Sequence, residues 1–296
     1  MGFLYFFIVN KISGNGRGLK VWTKIEKLMK EKRVDFLVEY TEKQGHAKEI
    51  IGKLKKEVSA VVVIGGDGTI HEVINGLVYK NIPLGVIPSG SGNDYARSMN
   101  IPFAPHKALE RILTFEAKKI DIGKAGDRYF LSIAGMGFDG KVAEVTNASS
   151  SKSFLNKIRL GSLAYIVNIF KVLFTYQPSD VVVNIDGNER IYKDVWLIAM
   201  ANLPYYGGGL KICPEADARD GKLDMCVVSG ISRFELLFVF PLVIKGAHVK
   251  HRHVSMTRGQ KVCLKQTGKM VLQCDGEIIS HEKFKFKIEE KALNVL

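Results

Sequence analysis

Val61–Leu77, VVVIGGDGTIHEVINGL, constrains the fold more than any other stretch, because a continuous apolar run enters GGDGT and leaves with helical periodicity. An apolar run bounded by glycines and followed by an amphipathic segment reads as a buried strand feeding a helix, the unit of a parallel sheet. Glycines in the turn permit close backbone approach, so N–H groups of Gly65, Gly66, Gly68 and Thr69 can face a phosphate, and the helix adds the positive end of its dipole. An acid at that turn, Asp67, repels a phosphate unless a divalent cation or its bound water lies between them. Thr69-Ile70-His71-Glu72 also fits a capping box, which accounts for Thr69 and Glu72 but not for Gly65, Gly66 and Asp67 together.

The same grammar extends through the first part of the chain. Phe3–Val9 reads as a strand, Ser13–Gly18 as a glycine-rich loop, and Val21, Trp22, Ile25, Leu28 and Met29 as one helical face. Val34–Tyr40 and Val58–Ile64 are further strands, Ala47, Ile50, Ile51 and Leu54 mark a helix, and Ile82–Ile87 leads into SGSGNDYARSM. After about Asp121 the pattern changes to short strands and turn dipeptides, the language of antiparallel sheet. Strands are expected at Tyr129–Ala134, Val181–Ile185, Ile191–Trp196, Trp196–Ala201, Leu223–Val228, Lys261–Leu264, Met270–Cys274 and Phe284–Ile288, with helices at Leu163–Phe174 and Phe234–Gly246.

Composition bounds the function classes. The 296 residues carry 43 Lys and Arg against 30 Asp and Glu, a formal charge of +13, which points to an anionic partner or simply to a basic protein. The four cysteines show no CxxC spacing, so neither a zinc module nor a disulfide framework is indicated, and a reducing cytoplasm fits. MGFLYFFIVN lacks a basic region before its apolar run and has Phe6 where myristoylation wants Ser or Thr, and the apolar run in Phe234–Ile244 is too short to span a bilayer.

Neither a Walker sequence nor the kinase glycine loop with HRD and DFG occurs. Gly135-Met136-Gly137-Phe138-Asp139-Gly140 has GxGxxG spacing but no acid about 20 residues on, so it reads as a tight turn. Asp186-Gly187 reads as a type I′ hairpin turn, whereas at Asp275-Gly276 turn and chemistry can coexist. Asn93 and Asp94 fit helix caps as well as ligand neighbours, and His248, His251 and His253 read as a solvated or anion-facing patch rather than a metal cluster.

Five segments in order, GGDGTIHEVINGL, PLGVIPSGSGNDYARSM, KKIDIG, Asp220-Gly221-Lys222-Leu223-Asp224 and Asp275-Gly276-Glu277, resemble the soluble bacterial diacylglycerol-kinase-like lipid kinases over nearly the whole chain. GGDGT alone is shared with NAD kinases and phosphofructokinases. The resemblance implies ATP held by Asn10, Thr41, the turn Gly65, Gly66, Asp67, Gly68, Thr69, Ile70 and His71, and Ser91, the last where Thr is frequent. It implies a magnesium-linked network of Asp67, Asp121 and Asp275, Glu277 as catalytic base, and a second, structural magnesium at Asp220 with the carbonyls of Asp217 and Lys222.

The expected fold is an α/β nucleotide-binding domain over residues 1–122, NAD-kinase or phosphofructokinase-like, and a β-rich, sandwich-type domain over 123–285, with a strand near 286–296 returning to the first. The expected reaction is ATP- and Mg2+-dependent phosphorylation of a lipid hydroxyl, diacylglycerol foremost, with phosphatidylglycerol, a sphingoid base or an undecaprenol-like alcohol open. NAD kinase and a non-enzymatic lipid or nucleotide sensor are the alternatives. Expected partners are a lipid at a membrane surface reached peripherally and anionic phospholipid, with Lys152, Lys157 and Arg159 beside the Leu163–Phe174 helix as one contact. A homodimer is compatible, and nucleic acid is not expected.

Overall fold

A computed structural model describes residues 3–148, 169–266, 270–279 and 284–296. The first lobe is α/β: β1 (Leu4–Val9), β2 (Asp35–Tyr40), β3 (Ala60–Gly65) and β4 (Leu84–Pro88) pair in parallel in the order β4-β3-β1-β2. Helices α1 (Ser13–Glu31), α2 (His46–Lys53), α3 (Asp67–Leu77), α4 (Asp94–Ser98) and α5 (Pro105–Leu113) connect or follow these strands. Within α1, Gly14, Asn15 and Gly16 are left-handed, so the glycine-rich segment is a loop and the regular helix starts after it. Every residue of β3 is buried, as a central parallel strand requires.

The remainder is mainly antiparallel. β5 (Lys118–Ala125), β6 (Arg128–Phe130), β7 (Ile133–Gly137), α6 (Phe138–Ala148), β8 (Ser179–Ile185) and β9 (Asn188–Ala201) come first. A short pair, β10 (Tyr205–Tyr206) and β11 (Leu210–Lys211), precedes β12 (Leu223–Ser229), β13 (Val254–Gly259), β14 (Lys261–Gln266), β15 (Leu272–Cys274), β16 (Glu277–Ile279) and β17 (Phe284–Val295). Period-two alternation splits the apolar residues between two cores. Leu223, Met225 and Val227 of β12 face one with Ala134 and Met136, while Cys226 and Val228 face the other with Ile133 and Trp196. β17 pairs antiparallel with β14 and β5 and meets β4 in parallel at Val295–Leu84, so both lobes lie on one continuous sheet path.

The expected fold class, α/β followed by a β-sandwich-like part, is the observed one. Several element expectations are corrected. Tyr129–Ala134 is two strands because the N–H groups of Leu131, Ser132 and Ile133 turn to the Asp275 carboxylate. Ile191–Trp196 and Trp196–Ala201 are one strand, β9, with register shifts opposite β8 and β12 rather than a break. Gly135–Gly140 is not a tight turn but the end of β7 and the start of α6. A Cβ at Gly135 would collide with the Asp139 carboxylate, and Gly137 takes φ of 100° against the Trp196 carbonyl. β5 and β13 were not anticipated.

Phe234–Gly246 is an α-helix over Arg233–Val239 followed by 3-10 turns over Phe240–Lys245, since Pro241 has no N–H to continue the ladder. Of the Leu163–Phe174 segment, residues 169–174 lie in a helix over 169–175, while 163–168, Lys152, Lys157 and Arg159 fall outside the described residues. Among the described residues no helix is long and apolar enough to cross a membrane.

Candidate active site

Two glycine turns meet at the C-terminal ends of β3 and β4, where open α/β sheets place ligands. They touch backbone to backbone: a Cβ on Gly90 would lie 2.5 Å from Gly66 Cα, and one on Gly66 would lie 3.0 Å from Gly90 Cα. Asn93 closes the second turn by exchanging two 2.9 Å hydrogen bonds with the Gly90 backbone, and Asp94 accepts from Gly208 N–H at 2.7 Å. Neither side chain caps α4, contrary to expectation. Ser91 lies exposed in this turn, and Thr41 follows β2 with its N–H on the Val9 carbonyl at 3.0 Å.

The capping-box expectation also fails. Gly66 is the N-cap of α3, and Thr69 Oγ1 instead accepts from Asn10 Nδ2 at 3.0 Å. Glu72 accepts the N–H groups of Gly45 and Ala47 at 2.7 and 3.0 Å, fastening the start of α2. Asn10 Oδ1 is buried without a donor, and a Cβ on Gly68 would meet nothing within 4 Å, so the turn keeps room and unspent polarity beside it. Ile70 is buried in the core of the α/β lobe.

Asp67, Asp94, Asp139 and Asp275 line one cavity of about 310 Å³ with Ser132, Gly208 and Gln273. Burial pushes the Asp67 carboxyl above its ordinary range, against hydrogen bonds from the Tyr95 and Asp94 backbone, and the Asp275 charge adds to the rise. Burial, then the neighbouring Asp67 charge, pushes Asp94 up to about 6. Asp94 Oδ1 has no hydrogen-bond donor, the Arg97 guanidinium lying 3.7 Å away. Paired buried carboxylates with an unspent oxygen fit a divalent cation.

Asp275 is differently placed. Its oxygens accept from the N–H groups of Leu131, Ser132 and Ile133 at 2.7, 2.9 and 3.1 Å and from His71 Nδ1 at 2.9 Å, so its acceptor capacity is consumed. Asp275 and Gly276 have φ of 48° and 90°, so the hairpin turn and the cleft coexist there. Glu277 Oε2 accepts from Gln44 Nε2 at 2.6 Å and lines a neighbouring cavity with Lys48, His71, Glu72 and Arg128.

Asp121 is brought to neither Asp67 nor Asp275 by any described bond. Its carboxylate accepts from Gly221 N–H and Lys291 N–H, both at 2.8 Å, tying the 217–222 turn to β17. In that turn Asp220 accepts from Lys222 N–H at 3.0 Å, and the Asp217 carbonyl accepts from Arg219 and Asp220 at 2.7 and 3.3 Å. No cluster of three or more His, Cys, Asp or Glu suited to a metal occurs among the described residues.

His248 is buried and donates to the Ile212 carbonyl at 3.0 Å, so it is no solvated patch, and burial lowers its pKa. His251 and His253 instead surround Glu235.

Asp139 was missed, hidden in what looked like a glycine turn. Its buried carboxyl is pushed up to about 6 and accepts from Gln273 Nε2 at 3.3 Å. Together with Tyr206 it also lines an apolar cavity of about 220 Å³ walled by Phe138, Trp196, Leu173, Leu236 and Val243. The polar cleft and the apolar cavity therefore adjoin.

A glycine turn at the start of a helix, buried carboxylates and a neighbouring apolar cavity lie together on an α/β scaffold, an arrangement of the kind a phosphotransferase needs. Residues 5–125 match the family described as the diacylglycerol kinase catalytic domain, and residues 132–296 match the YegS C-terminal NAD kinase beta sandwich-like domain. Diacylglycerol kinase of Mycobacterium tuberculosis (strain ATCC 25618 / H37Rv) is 32% identical over 297 residues, covering 98% of this chain and 93% of that protein. Diacylglycerol kinase of Bacillus subtilis (strain 168) is 33% identical over 226 residues, covering 75% and 72%. A crystal structure of a diacylglycerol kinase from Bacillus anthracis str. Sterne shares the fold with a TM-score of 0.72 at 19% identity, covering 99% of this chain and 96% of that one. The chain belongs to the diacylglycerol kinase-like family of lipid kinases.

Proposed function

We propose that the protein transfers the γ-phosphoryl group of ATP to a lipid hydroxyl, with diacylglycerol as the acceptor and phosphatidic acid as the product. The observation that carries this reading is the shared wall of the acidic cleft and the apolar cavity, which meets the needs of a molecule with one reactive hydroxyl and an acyl body.

The turn Gly65–Thr69, with Asn10 and the Ser89–Asn93 loop, would hold the phosphates, and Asp67 with Asp94 would hold Mg2+. Magnesium, when bound, offsets phosphate charge. Asp275 orients the hairpin that carries Glu277, and Asp139, at the junction of cleft and chamber, marks where the acceptor's hydroxyl oxygen would face the γ-phosphorus. The new O–P bond forms as the bond from that phosphorus to the β,γ-bridging oxygen breaks, ADP departs, and Glu277 takes the hydroxyl proton. Transient association with an anionic membrane surface completes the reading.

Labelled ATP with detergent-dispersed diacylglycerol, phosphatidylglycerol, a sphingoid base and an undecaprenol-like alcohol, beside NAD without lipid, tests it. Phosphatidic acid as the main product supports the proposal, and transfer to NAD alone overturns it. Glu277→Gln should lower kcat by about 10²–10⁴-fold with the KM for ATP little changed. A variant within about threefold of the parent would remove Glu277 as base.

A further inference from the structure

Two adjacent helices expose aromatic pairs one turn apart. Phe234 and Phe238, on the helix Arg233–Val239, are 70% and 79% exposed, and Phe170 and Phe174, in the helix over 169–175, are 47% and 57% exposed. Leu242 and Ile244, at 40% and 59%, extend the surface along the following 3-10 turns. The helices are fastened together by Arg233, whose Nε donates to the Leu173 carbonyl at 3.2 Å and whose terminal amine donates to the Tyr176 carbonyl at 2.9 Å. Their inner side chains, Leu173, Leu236 and Leu237, wall the apolar cavity described above. Phe174, Phe234 and Phe238 thus stand on the outer side of the elements that enclose the apolar cavity, while Phe170 lines the cavity itself.

Basic side chains predominate around this face, with Asp194 beside Phe234 at its edge. Lys171, Lys245, Lys250 and Arg252 are exposed, and Glu235, the single acid between residues 231 and 253, is engaged by Arg252, His251 and His253 at 3.3, 3.5 and 3.7 Å. Isolated apolar residues on a surface need no explanation, but a contiguous aromatic face does. Lysines are depleted from protein–protein interfaces, whereas aromatic residues flanked by lysines suit the boundary between acyl chains and anionic headgroups.

We propose that this face docks on an anionic lipid bilayer, with Phe234 and Phe238 entering the acyl boundary and Lys171, Lys245 and Lys250 lying among the headgroups. The proposal rests on the lipid-acceptor reading and adds the surface that brings the enzyme to its substrate. Docked this way, the cavity-walling helices face the leaflet, so an acyl chain moves from bilayer to chamber with little exposure to water.

Cosedimentation of the full chain with phosphatidylcholine vesicles, with or without phosphatidylglycerol, tests the proposal. Phe234→Ser with Phe238→Ser should weaken partitioning about tenfold or more, while Phe234→Leu with Phe238→Leu keeps most of it. Lys245→Glu with Lys250→Glu should weaken binding only where phosphatidylglycerol is present. Phe238→Trp supplies a second readout, a blue-shifted emission on vesicles. Serine variants that bind like the parent, or a tryptophan whose emission ignores vesicles, overturn the proposal. So does a parent that self-associates through this face, with the serine pair dispersing the dimer and leaving vesicle binding intact. The micelle assay separates the two readings: the serine pair should phosphorylate dispersed diacylglycerol within about twofold of the parent. Parental inactivity in micelles alongside Phe-dependent vesicle binding would fail the acceptor reading and leave the surface standing.

Discussion

His71 Nδ1 donates to Asp275 Oδ2 across 2.9 Å, with both side chains buried, so the helix leaving the glycine turn is fastened to the hairpin of the second lobe. The same carboxylate holds three successive N–H groups, and the bond therefore fixes the geometry between the two walls of the cleft.

Removing Asp275 strands those donors. Each buried unsatisfied group costs about 1–3 kcal/mol, so Asp275→Ala should lower unfolding stability by about 3 kcal/mol or more. Urea titration measures it, and a loss below about 1 kcal/mol would mean that water replaces the carboxylate freely. A double-mutant cycle with His71→Phe should give a coupling of about 1–3 kcal/mol.

Asp67 stands at the start of α3 with one oxygen on Tyr95 N–H at 3.1 Å. Asp67→Asn preserves shape and removes the charge proposed to hold magnesium, so turnover should fall by about 10²-fold or more with circular dichroism unchanged. Near-parental turnover at saturating magnesium would take Asp67 out of the mechanism.

Gln44 reaches Glu277 from the loop between β2 and α2, a contact of 2.6 Å between residues far apart in sequence. As a positioning residue it should affect kcat more than substrate binding. Gln44→Ala is expected to lower kcat about three- to thirtyfold, from the loss of one hydrogen bond to a charged group, and Gln44→Glu to lower it further by like-charge repulsion. The KM for ATP and the urea midpoint of the alanine variant should match the parent, which a purely structural loss would not produce.

Asp139 carries a pH signature. Burial raises its native value to about 6 from an ordinary 3.8, so between these values the native state binds more protons than the unfolded chain. Its contribution to stability is complete below about pH 4 and is lost as pH rises through about 6. Relative to the parent, Asp139→Asn should gain on the order of 2–3 kcal/mol between about pH 4 and pH 7.5, read from urea midpoints. A stability difference independent of pH would place the carboxyl in a polar setting.

The parallel lobe was legible because its information is local: apolar runs, helical periodicity and glycine turns recur within each strand-to-helix unit. The glycine turns and their acids were legible for the same reason. What escaped depends on distant partners. β6 and β7 read as one strand until Asp275, more than 140 residues away, takes the intervening N–H groups. Glu72 looked like the partner of Thr69, yet its acceptors serve Gly45 and Ala47 on another helix. Asp139 was masked by glycines whose spacing answers to close packing rather than to a turn. Asp121 sits in a readable motif, but its bonds to Gly221 and Lys291 are set by β17.

β17 closes the sheet of the first lobe late in the chain. Leu293, Val295 and Leu296 are buried in the core of the first lobe, and Val295 and Leu296 meet Leu84 on β4. During synthesis the nascent first lobe therefore emerges with an open strand edge and an incomplete core, and it waits for roughly two hundred further residues to leave the ribosome. Chains arrested before Phe284 should be cut by protease within the first lobe where chains that include β17 resist, placing the folding decision at the emergence of β17 rather than at the first domain to appear.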